Sequence, residues 1–115
     1  MKKFFTIITI MATAALLYNC SGSKKATASK PAPLSYDTNV KTVIETSCAP
    51  CHIAGKGNKK PYDNYANVKT DIDDIIRRIE MNPADRGFMP FKHAKLSDST
   101  IAVFKQWRTD GLLEK

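Results

Sequence analysis

Cys48-Ala49-Pro50-Cys51-His52 sets two thiols three positions apart, with an imidazole directly after the second. Four chemistries can use such a pattern. A redox dithiol belongs at a strand-to-helix turn of a βαβ unit, and the chain shows no strand pattern. A structural zinc site needs four ligands, and beyond the motif only His93 remains. A disulfide between Cys48 and Cys51 would close a tiny loop and stabilise little. The fourth is covalent attachment of haem, for which Cys-x-x-Cys-His is the signature. Thiols at this spacing reach the two vinyl groups on one porphyrin edge, and His52 then turns its imidazole to the iron. The motif therefore predicts one haem, held by Cys48 and Cys51 with His52 as the proximal ligand.

A second axial ligand can come from Met89, His93 or Met81. Met81 ends an isoleucine-rich segment, where a methionine serves packing. Met89 lies in the irregular stretch from Pro83 to Lys95, where a ligand can be aimed freely. Pro90, with its fixed φ, stiffens that stretch.

Helices must position these groups. Val40, Val43, Ile44 and Ser47 recur at helical spacing, which predicts a helix from about Asn39 into the thiol motif. Ile72, Ile75, Ile76 and Ile79 repeat the spacing and define a middle helix. Thr70 is its expected N-cap, with Asp71, Asp73 and Asp74 in the first turn and Asn82-Pro83 as the stop. A short helical turn is expected around Asp63–Val68. A last helix opens at Leu96-Ser97-Asp98, with Ser97 as N-cap. It carries Ile101, Phe104 and Trp107 on one face and closes at Gly111.

These features in this order resemble the class I cytochromes c: an amphipathic helix leading into Cys48-Ala49-Pro50-Cys51-His52, a middle helix, Gly87-Phe88-Met89-Pro90, and an aromatic C-terminal helix. The resemblance covers residues 35–115. It implies an all-α fold of three main helices around one covalent haem, and Met89, ahead of Pro90, as the distal iron ligand. It also implies that the first and last helices cross, placing Phe104 and Trp107 against Val43 and Ile44. A folded part of this size is marginal for a core of its own. The polypeptide without haem is accordingly expected to be largely unfolded.

The 115 residues carry 43% apolar and 25% charged side chains, an ordinary globular composition. The net charge of +7 is concentrated at the start. Lys2, Lys3, Lys24, Lys25 and Lys30 precede the folded part, and without them 13 basic residues face 11 acidic ones. Bulk charge thus gives no reason to expect a nucleic-acid partner. Lys2 and Lys3 followed by the apolar run Phe4 to Leu17 read as an export signal, too short to span a bilayer comfortably. Leu17-Tyr18-Asn19-Cys20 resembles a lipobox of the looser kind found in Bacteroidota lipoproteins. That likeness implies a signal peptide over 1–19, acylation of Cys20 and a flexible tether over 20–34. A tether of this composition would reach on the order of 20 Å from the membrane.

Together these features predict an electron carrier, not an enzyme, exported and lipid-anchored with its domain facing the periplasm. Its partners are expected to be redox proteins such as a respiratory complex or terminal oxidase. Lys56, Lys59 and Lys60 follow His52, and Lys92 and Lys95 follow Met89, so both clusters are expected at the rim of the cleft, facing an acidic docking surface. Phe88 and Phe91 are expected to form an apolar rim. A haem sensor with an open distal site and a non-haem dithiol lipoprotein are the alternative readings.

Overall fold

The computed structural model describes residues 31–115. The expected signal segment 1–19, Cys20 and the tether up to Lys30 lie outside the described residues. Among those described the fold is helical, with no strand and no helix long and apolar enough to cross a membrane.

The first helical run opens with a π-helical segment, Tyr36–Val40, and passes without a break into α1, Lys41–Ser47. It begins earlier than the apolar spacing predicted because Ser35 and Asn39 cap it reciprocally. The Ser35 hydroxyl accepts from the Thr38 N–H, and the Ser35 N–H donates to Asn39 Oδ1 at 2.9 Å. Val40 and Ile44 are fully buried. Cys48 is the C-cap of α1, so the run ends on the thiol motif.

Helix α2 spans Tyr65–Glu80 and is longer than predicted. Its N-cap is Asn64, whose side chain accepts from the Asn67 N–H, and the separate turn at Asp63–Val68 is its opening. Thr70 is not a cap. It lies inside the helix, and its hydroxyl donates back to the Ala66 carbonyl at 2.8 Å. Asp71, Asp73 and Asp74 are therefore mid-helix residues, and each finds a cation: Lys60, Arg108, and Arg77 with Arg78. The opposite face, Val68, Ile72, Ile75, Ile76 and Ile79, is buried.

Helix α3, Asp98–Thr109, starts as predicted: the Ser97 hydroxyl accepts from the Thr100 N–H. It ends in a Schellman turn. The Gly111 N–H donates to the Arg108 carbonyl and the Leu112 N–H to the Trp107 carbonyl, with Gly111 at φ +97°. Helix α3 meets the first helical run chiefly at Tyr36–Val40, one turn before Val43 and Ile44. There Tyr36, Tyr65 and Trp107 form a cluster of ring edges with centroids 5.9–6.2 Å apart. The Trp107 indole N–H donates to the Leu113 carbonyl at 2.7 Å. Trp107 is thus a core residue with its polar atom satisfied within the fold.

The two ends of the folded part are stitched together. The Leu34 N–H donates to Asp110 Oδ2, the Tyr36 N–H to the Leu113 carbonyl and the Asp37 N–H to the Glu114 carbonyl. Leu34 also packs on the core, so it belongs to the folded body rather than to the tether.

Candidate functional site

The C-terminal end of α1, one side of α2 and the irregular segment before α3 enclose a mostly apolar cleft. Cys48, Cys51, His52, Met89 and His93 all line it, with Ile75, Ile79, Leu96 and Phe104 as apolar walls. Residues separated by some forty positions in sequence thereby converge. Met81 does not line the cleft; its sulfur accepts from Arg77 Nη1 at 3.8 Å at the end of α2.

His52 is held on several sides. Its Nδ1 lies 2.8 Å from the Lys60 carbonyl oxygen. A carbonyl can only accept, so Nδ1 carries the proton and Nε2 keeps its lone pair in the neutral ring. Its own carbonyl accepts from the Tyr62 N–H at 2.7 Å. The Tyr62 ring stacks on the imidazole, with centroids 4.6 Å apart and planes 5° from parallel.

Both cysteines of the motif are free thiols. Burial pushes the Cys48 thiol up to about 11. It also sits at a helix C-terminus, whose dipole disfavours a thiolate. A reactive dithiol needs the reverse setting, a helix N-terminus or a neighbouring cation that lowers the pKa.

Gly57 packs the loop after His52 against the motif. A Cβ there would lie 2.1 Å from the Cys51 carbonyl oxygen and 2.5 Å from that of Pro50. Two residues on, the Lys59 N–H donates to the same Cys51 carbonyl at 3.2 Å. Gly57 belongs to no motif; its one signal in the sequence is a glycine in the short loop immediately after the thiols.

The methionine side is tied to α2 through Arg78. The Met89 N–H donates to the Arg78 carbonyl at 3.2 Å, and Arg78 Nη1 donates to the Gly87 carbonyl at 3.3 Å. Arg78 is itself held by Asp74, with Nε 2.6 Å from Oδ2. Met89 is half-buried against the core, whereas His93 is exposed.

The two lysine clusters divide differently from expectation. Lys59 and Lys60 line the cleft, and Lys56 is exposed on the loop beside them. Lys92 lies over the Phe91 ring, which is 65% exposed at the cleft. Lys95 instead donates to the Glu80 carbonyl and faces a separate groove between α2 and α3. Phe88 is buried, so Phe91 alone of the two phenylalanines is exposed there.

Among the described residues no group of three or more His, Cys, Asp or Glu side chains gathers as a metal-ion site. Haem held through thioethers asks for two thiols and, at its iron, for axial ligands; this cleft offers the thiols of Cys48 and Cys51, the imidazoles of His52, with a free Nε2, and His93, and the thioether of Met89. No family model, curated protein or solved structure matches the chain.

Proposed function

We propose that this chain is a lipid-anchored, monohaem c-type cytochrome that carries single electrons in the periplasm. One observation carries the reading. The imidazole of His52 has its Nδ1–H committed to the Lys60 carbonyl and its Nε2 free, in a cleft shared with the thiols of Cys48 and Cys51 and with Met89. Metal-binding histidines are fixed in this way, by a second hydrogen bond at the other ring nitrogen.

Cys48 and Cys51 would hold haem through thioethers, with His52 and Met89 as axial ligands. Haem so held supplies a one-electron ferric/ferrous couple. The chain supplies the rest. Ile75, Ile79, Leu96 and Phe104 give the cleft apolar walls. Arg78 fixes the approach of the Met89 segment from α2. With His52 and Met89 both holding the iron, no place would be left for a substrate, and the chain would act as a carrier rather than an enzyme. Cys20 would join the domain to the membrane.

The test is an optical spectrum of the purified protein, oxidised and reduced. Covalently bound, low-spin, six-coordinate haem that does not take up carbon monoxide when reduced is the expected result. Carbon monoxide binding would point to an open distal site and a sensor. A colourless protein with two titratable thiols would overturn the haem reading.

A further inference from the structure

His52 belongs to a closed ring of contacts that extends past its own hydrogen bond. The imidazole Nδ1–H meets the Lys60 carbonyl. The Lys60 ammonium reaches back to Asp71 on α2, 2.8 Å from Oδ2 and 2.9 Å from Oδ1. Asp71 Oδ2 accepts from the Tyr62 hydroxyl at 3.1 Å. The Tyr62 ring then returns to the imidazole face. Backbone and side chain of one residue, Lys60, thus point to different members of the ring.

We propose that Asp71, acting through Lys60 and Tyr62, is a positioning residue for His52. The inference rests on His52 being the axial ligand. Lys60 and Tyr62 sit on an irregular loop whose backbone is held at Lys59, Pro61 and Tyr62 by hydrogen bonds to Cys51, Asn67, His52 and Tyr36, but by none of these at Lys60, whose carbonyl meets the imidazole. Asp71 sits on a 16-residue helix with a buried apolar face. The carboxylate ties the loop to that rigid element at two points, one on each side of Pro61. One tie fixes where the Lys60 carbonyl stands, and the other fixes the ring that flanks the imidazole. Asp71 does not itself line the cleft; it reaches the site only through Lys60 and Tyr62, which do, so its action is indirect. Lys60 and the Tyr62 hydroxyl hold the Asp71 carboxyl below the usual range, so it is ionised and fit for this task at neutral pH.

A hydrogen bond at Nδ1 raises the electron donation of the ring to a metal at Nε2. Slackening the Lys60 loop should therefore expose the Nδ1–H to solvent and raise the reduction potential. Asp73 gives the control: it lies on the same helix and carries the same charge, but it pairs with Arg108 outside the ring.

The experiment measures solvent exchange of the His52 Nδ1 proton by NMR in the reduced, haem-loaded protein, together with the midpoint potential. Asp71→Asn should speed exchange at least tenfold and raise the potential, whereas Asp73→Asn should leave exchange unchanged. Tyr62→Phe keeps the stacked ring and loses one tie, so its exchange should fall between wild type and Asp71→Asn. Asp71→Glu should restore most of the protection. If Asp71→Asn and Asp73→Asn behave alike, or if Asp71→Asn does not load haem while Tyr62→Phe exchanges like wild type, the positioning role is overturned. A wild-type protein without covalent haem would overturn the functional reading and the positioning role with it.

Discussion

Replacing Gly57 by alanine should damage this domain more than its small size suggests. The added Cβ would sit 2.1 Å from the Cys51 carbonyl oxygen, 2.4 Å from its carbon and 2.5 Å from the Pro50 oxygen. An ordinary carbon–oxygen contact is about 3.3 Å, so the loop must retreat by roughly 1 Å. The same Cys51 carbonyl accepts from Lys59 N–H at 3.2 Å, and that bond cannot survive such a shift. Overpacking costs about 1–3 kcal/mol and the lost hydrogen bond about 1 kcal/mol. The lower entropy of the unfolded alanine chain returns about 0.4–1 kcal/mol. A net loss of about 2 kcal/mol would lower Tm by roughly 8–16 °C for a domain of this size. Gly111→Ala is the comparison: φ is +97° but nothing lies within 4 Å of its Cβ. Its cost is the left-handed penalty of about 1–2 kcal/mol, less the same unfolded-state gain. Thermal unfolding of the haem-loaded proteins should therefore rank wild type above Gly111→Ala, and Gly111→Ala above Gly57→Ala. A Gly57→Ala protein melting within about 2 °C of wild type would refute the close-packing argument.

Met89→Ala should retain covalent haem but give a form that binds carbon monoxide, with a lower potential, since a thioether ligand raises it; an unchanged spectrum would move the ligand to His93. Cys20→Ser should release the protein from the membrane fraction while haem stays attached, and sedimentation after a high-salt wash would reject Cys20 as the anchor. Reversing Lys56 and Lys59 to Glu should slow electron transfer to an acidic partner at low salt and leave the potential nearly unchanged; neither lysine has an ion-pair partner among the described residues. Burial, with Asp63, Glu45 and Asp37 nearby, pushes the Tyr36 hydroxyl up to about 12. A raised folded-state value means its contribution is complete below pH 10, the unfolded value, and is lost as pH rises toward 12. Stability should thus fall across that window, with tyrosinate absorbance appearing at unfolding, and Tyr36→Phe should flatten the fall.

Local chemistry was legible in the sequence. The thiol motif needs only its spacing to be recognised, and Ser97 caps α3 directly ahead of its apolar face. The isoleucine repeat marked the buried face of α2 because helical spacing is a property of neighbouring residues. The start of α2 lies earlier than its aspartates suggest, capped by Asn64, for a physical reason. Three aspartates in four positions look like the first turn of a helix, where the dipole favours them. Here their charges are met by Lys60, Arg77, Arg78 and Arg108, so they sit in mid-helix without that need.

Tertiary structure alone decided which distant groups share the cleft. Nothing local to Met89 says that it lines the same cleft as Cys48; the fold brings both there, with the Met89 backbone tied to α2 through Arg78. Nothing in Phe88 and Phe91 tells which is buried, because an irregular segment has no period that assigns faces. The direction of Lys95, the commitment of His52 Nδ1 to a carbonyl and the need for glycine at position 57 have the same origin. Each depends on a backbone atom brought close by folding, and backbone atoms are identical at every residue, so the sequence carries no mark of them.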